Sequence, residues 1–321
     1  MEHILKIIAN TIIQSSNAVD HPGLLRGKMG LIIFFSHYAR YTGNNYFADQ
    51  AMVLMDSIQE QILQHYDMDY ANGLSGIGVG IEYLSQNGFL DINTDETLEA
   101  FYFPIRKEIM YQQQKNHSLY NGLCGLGQYL LYRIKCRPVE ANEYNMLAHQ
   151  ELMVFLVDIL ENDKDLHHDN LSDVLSFLCK LYRLDVCNPK IDRYMDKLSF
   201  EAISDEHLFE WALALLRLAS IKKQFTGLAI QKVVIALKAI ESFGQNIQPT
   251  YLLWLLQCKR LILQTGICPG LVGLLDRLTD RCITVSPPVD DNLSLKGNAG
   301  VGLSIMTLAG NCDGAWLDLM W

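Results

Sequence analysis

One four-residue pattern recurs along this chain and constrains its fold more than any other feature. It occurs as Gly27-Lys28-Met29-Gly30, Gly73-Leu74-Ser75-Gly76, Gly122-Leu123-Cys124-Gly125 and Gly297-Asn298-Ala299-Gly300, each followed by an apolar run. The first three copies stand 46 and 49 residues apart, a period that marks a helical-hairpin repeat. The stretch between Gly122 and Gly297 has room for further copies without glycine. They are placed at Asn170-Leu171-Ser172-Asp173, at Asp205-Glu206-His207 before LFEWALALLRLA, and at Gln248-Pro249-Thr250 before YLLWLLQCKRLIL. The count is about seven.

Longer amphipathic segments separate the copies: 46–66, 94–114, 140–161 and 225–243. Ala51, Leu54, Met55, Ile58 and Ile62 form one stripe at helical spacing. Asn93-Thr94-Asp95-Glu96 and Ser204-Asp205 carry N-cap chemistry. Strand signals are nearly absent. Each repeat therefore reads as one amphipathic helix followed by one apolar helix opened by G-x-x-G. A helix apolar all round must be buried, so seven inner helices inside seven outer ones are expected. An open solenoid would need polar caps, whereas Trp316 to Trp321 is apolar. The expected fold is an all-α toroid, one domain over 1–321, built of about seven hairpins.

Composition narrows the function. Half the residues are hydrophobic and the formal charge is −10, which argues against disorder and against a general nucleic-acid partner, since phosphate neutralisation needs clustered Lys and Arg. No apolar run reaches membrane length, and the first sixteen residues lack a basic secretion-signal start. The eight cysteines are widely spaced, with no CxxC, as in reduced thiols of a cytoplasmic protein. No cofactor motif is found: Lys28 is not placed as in a phosphate-binding loop. The glycines are expected to serve packing and to let the entering turns take positive φ. Parallel inner helices would make their shared N-terminal mouth electropositive.

Repeats of this kind, seen most clearly in GLLRGKMGLIIFFSHYARYTG, DYANGLSGIGVGIEYL and HSLYNGLCGLGQYLL, resemble the lanthionine synthetase C-like (LanC-like) family over nearly the whole chain. The resemblance implies an α/α toroid. In the family's enzymes it also implies a zinc ion held by Cys, Cys and His at the mouths of later repeats, which activates a peptide cysteine for thioether closure. This chain departs there, because no adjacent Cys-His pair exists and Leu295-Lys296 precedes Gly297. Cys268-Pro269-Gly270 imitates a ligand motif, but it lies too close to Gly297 for a full hairpin, so it reads as the start of the last outer helix. No metal site is assembled. His167-His168-Asp169 is the most metal-like cluster, with His207 one repeat away.

Asp69, four residues before Gly73, matches the spacing of an aspartate implicated in acid-base work in the family, or caps the inner helix. Asp69 and His117 are the catalytic candidates. Arg26, Lys28, Asn72, Tyr120, Asn121, His207 and Lys296 are the binding candidates at the mouth. The expected function is recognition of a peptide or protein at that mouth, within a peptide-modification pathway and without zinc-dependent cyclisation. The alternative is an enzyme: a cyclase with displaced zinc ligands, or a carbohydrate-active toroid pairing Asp69 with Glu82 or Asp205. A nucleophilic pairing of Cys124 with His117 is a further option.

Overall fold

A computed structural model of the chain describes residues 1–16, 19–64, 66–111, 116–136, 143–163, 170–198, 206–244, 248, 250–284 and 292–321. Among them every regular element is helical. In chain order these are α1 (Glu2–Ser15), α2 (Lys28–Thr42), α3 (Asn45–Gln64), α4 (Leu74–Gln86), α5 (Thr94–Thr97), α6 (Glu99–Tyr111), α7 (Leu123–Lys135), α8 (Glu143–Asn162), α9 (Leu171–Tyr182), α10 (Asn188–Lys197), α11 (Leu208–Ile221), α12 (Thr226–Ser242), α13 (Tyr251–Thr265), α14 (Val272–Thr284) and α15 (Asn298–Leu308). Short 3-10 turns cover Lys223–Phe225, Pro269–Leu271 and Ala315–Leu319. No described helix is long and apolar enough to cross a membrane.

The two helix types separate as their patterns require. α4, α7, α11 and α15 are buried on nearly every side, whereas α3 buries only Ala51, Leu54 and Ile58. The three copies without glycine begin α9, α11 and α13. The described part of the segment 94–114 is two helices, the first capped by the Asn93 side chain, which accepts from the amide of Asp95 at 3.0 Å. Cys268 stands just before the turn that leads into α14, as the spacing suggested.

The apolar helices follow one another in space. α2 packs on α4, α4 on α7, α7 on α9, α9 on α11, α11 on α13, α13 on α15, and α15 packs back on α2. The succession is cyclic, as closure of a toroid requires.

The glycines make that succession possible, though not through positive φ. Gly27, Gly73, Gly122 and Gly297 have φ between −114° and −133°, and the first three are in extended backbone open to any residue. Space is the constraint. A Cβ on Gly30, Gly76, Gly125 or Gly300 would collide with a carbonyl of its own entering turn: that of Leu24, Tyr70, Leu119 or Leu295. It would also press on the preceding repeat, with Gly76 against Leu24, Gly125 against Tyr70, and Gly30 against Leu295. The next glycine along accepts an aromatic ring from the following repeat. Tyr129 lies over Gly78, Phe177 over Gly127, and Phe34 of the first repeat over Gly302 of the last. These small-residue notches let inner helices approach closely.

Candidate functional site

The turns entering α2, α4 and α7 are stitched to one another at one end of the helices. The Leu25 amide donates to the Ala71 carbonyl at 3.0 Å, and the Tyr70 and Ala71 amides both donate to the Tyr120 carbonyl at 3.0 Å. At the fourth repeat a side chain takes over: the Leu119 amide donates to Asp173 Oδ2 at 2.8 Å. Burial pushes the Asp173 carboxyl up to about 6, against the opposing pull of that amide. Sequence reading missed Asp173, because an acidic residue in the first turn of an amphipathic-looking helix resembles an ordinary cap.

The proposed mouth residues divide into groups. Arg26, Tyr120 and Lys296, from the first, third and seventh repeats, converge. The Lys296 amine lies 4.2 Å from the centre of the Tyr120 ring and the Arg26 guanidinium 5.9 Å from it. Trp321, also missed, approaches Lys296 at 6.0 Å. Burial, with Arg26 adding to it, lowers the Lys296 amine to about 8. This is a cation–aromatic cluster able to receive a carboxylate or another anion.

Asp69 and Asn121 lie elsewhere, in a rim pocket of about 340 Å³ with Tyr66, Asp67 and Glu108. Burial raises the Asp69 carboxyl although it accepts the Asn72 amide at 2.5 Å. That bond shapes the turn entering α4 but is not a helix cap, since α4 opens at Gly73 with no side-chain cap bond. Asn121 is engaged by Asn116 and Ser118. Asn72 is wedged beside Gly23 of the first repeat.

Three candidates are placed away from the mouth cluster. Lys28 turns outward, its Nζ donating to Ser57 Oγ on α3 at 2.8 Å, near Asp20 and Glu60. His117 is 1% exposed and faces Asp163, beyond the end of α8, at 3.1 Å, so it fastens a turn to an outer helix. His207 occupies the N-cap position of α11 without a side-chain cap bond, and its charge acts to lower the Asp173 carboxyl. Glu82 does not join Asp69. It is buried on α4 with Arg133, which also meets Asp95 at 2.5 Å. Its position lies roughly 12 Å along the helix from the entering turn at 1.5 Å per residue. Cys124 is fully buried and its thiol is pushed well above the ordinary range, so it is not a poised nucleophile. His167, His168, Asp169 and Asp205 lie outside the described residues.

The donor set at the later mouths does not fit the zinc implied by the resemblance. α11 opens at His207, α13 at Thr250, and α15 after Lys296, a cation. Zinc needs three or four converging N, S or O ligands. Among the described residues no three His, Cys, Asp or Glu converge.

The chain's own residues 313–321 occupy the space between the inner helices. Tyr70 Oη donates to the Leu319 carbonyl at 2.8 Å, Lys180 to the Asp318 carbonyl at 3.0 Å, and Arg217 to the Trp321 carbonyl at 3.4 Å. Arg260 pairs with the Asp318 carboxylate at 2.9 Å. A segment touching the second, fourth, fifth and sixth repeats at once must lie inside the cycle. Compared with protein-family models the chain matches none, and no curated protein matches it.

Proposed function

We propose that this chain is a divergent LanC-like α/α toroid that binds an acidic peptide or protein segment at its mouth, and that it does not close thioether rings through zinc. The supporting observation is the convergence of Arg26 and Lys296 on the Tyr120 ring from three separate repeats. A half-buried amine and an exposed guanidinium flanking an aromatic face suit a carboxylate-bearing side chain with apolar neighbours. A cytoplasmic location and a place in a peptide-modification pathway belong to the same proposal. The eight unpaired cysteines suit a reducing compartment.

The test is panning of a random peptide display library on the full chain. Acidic sequences should be enriched. Arg26→Gln and Lys296→Gln should each weaken them at least tenfold, the scale of one charge-assisted hydrogen bond. Asp69→Asn should leave affinity within a few-fold. Enrichment of no sequence, or of sequences that both variants bind equally well, overturns the proposal.

A further inference from the structure

Charged residues interrupt several apolar inner helices near their C-terminal ends, far from the mouth: Lys135 on α7, Lys180 on α9, Arg217 on α11 and Arg260 on α13. The fold gathers them. With Arg183, just past α9, they line one cavity of about 310 Å³, and Asp318 is the only carboxylate in its wall among the described residues. A formal excess of four positive charges faces this space.

Among the described residues little balances it. Arg260 has the Asp318 carboxylate. Lys180 donates to a carbonyl at 3.0 Å. Arg217 reaches the Ser176 hydroxyl and the Trp321 carbonyl, both at 3.4 Å, and Arg183 reaches the Ser220 hydroxyl at 3.3 Å. The C-terminal ends of four inner helices contribute about half a negative charge each, which does not cancel the excess. Burial, with Arg217 next, pushes the Lys180 amine down to about 7, and burial lowers Arg217 to about 10. Cations in a site already balanced would not be driven toward neutrality.

We propose that this cavity is a binding site for a compact phosphorylated anion, held by the guanidinium forks of Arg183, Arg217 and Arg260 and the amines of Lys135 and Lys180. Three planar forks match the oxygens of a phosphoryl group in pairs. A phosphoryl group also brings close to two charges in a small volume, whereas a single carboxylate brings one. The cavity is at the small end of ligand pockets, so it takes a small molecule and not a polymer. The site lies at the opposite end of the helices from the mouth and does not depend on the peptide-binding proposal.

The experiment is calorimetric titration of the full chain with inorganic pyrophosphate, with citrate as the carboxylate control and KCl added to hold ionic strength constant. Pyrophosphate should bind one to one. Arg183→Gln should weaken it at least tenfold and the Lys135→Gln, Arg183→Gln pair further. Both side chains are exposed at the rim, so the variants should keep the wild-type melting curve. No binding above the KCl background overturns the proposal, as does unchanged affinity in the rim variants. Citrate binding as tightly as pyrophosphate overturns the phosphate assignment. A loss in Lys296→Gln equal to that in the rim variants moves the anion to the mouth and overturns the site.

Discussion

His37 shows how one buried side chain ties stability to pH. It sits on α2 with Nε2 at 2.8 Å from the Tyr83 hydroxyl and its ring edge-on to Phe89. Burial first, then the Arg40 charge, lowers its pKa to about 4. The unfolded chain protonates near 6.5, so between 6.5 and 4 it takes up a proton that the native state refuses. Stability is therefore full above pH 6.5 and falls as pH drops through this window, by about 1.4 kcal/mol per unit. Asp173 titrates in an overlapping range with the opposite sign, because its raised carboxyl favours the native state at lower pH. The readout is therefore the difference between wild type and His37→Gln, which keeps a partner for Tyr83. That difference in unfolding free energy should change by about 2 kcal/mol between pH 7.5 and pH 5. Parallel pH curves would show that His37 titrates normally.

At the scale of the element, the entering turn and its glycines form one packing unit repeated around the cycle. Gly76→Ala would drive a methyl group into the Tyr70 carbonyl and the Leu24 side chain. Neither can withdraw without disturbing the neighbouring turn, to which Tyr70 and Leu25 are hydrogen bonded. The expected loss is about 3 kcal/mol or more, read by urea denaturation. Gly227, in the first turn of outer helix α12, has nothing within 4 Å of where a Cβ would sit. Gly227→Ala should gain about 0.5 to 1 kcal/mol from the lower backbone entropy of the unfolded chain. Equal effects at the two positions would mean that the notches are not tightly packed. Copies four to six lack the motif, and their helices α9, α11 and α13 open at Asn170, His207 and Thr250.

At the scale of the whole molecule, residues 313–321 tie the second repeat, through Tyr70, to the fourth, fifth and sixth, through Lys180, Arg217 and Arg260. Burial alone would raise the Asp318 carboxyl, but Arg260, Lys180 and Arg217 outweigh it and hold it below the ordinary value. Asp318→Ala removes the one carboxylate shared by cations of three inner helices. Breaking a buried pair costs about 3 to 5 kcal/mol. With 30% of this side chain still accessible, about 2 to 3 kcal/mol is expected, measured by chemical denaturation near pH 7. A loss under half a kcal/mol would show that the segment rides on its apolar side chains, Trp316, Leu317 and Leu319, alone.

Periodicity determined the helix types, and the glycine notches marked where they meet. Apolar-all-round against one-sided patterning is a local property, and it sorted inner from outer helices even where the glycines were lost. The same patterns made Arg26, Tyr120 and Lys296 legible as residues of one mouth, since all precede inner helices. Side-chain direction was not legible. Lys28 sits inside the motif yet turns outward to Ser57, and His117 turns to Asp163, because the pitch of the turn and the position of the outer helix decide which way each points. The far-end cations were visible only as blemishes in apolar runs. Bringing them together took four helices from separate repeats and the return of 313–321 between them, contacts separated by up to 138 residues in the chain. Local pattern specifies which face is buried; only packing decides which distant charges share one cavity.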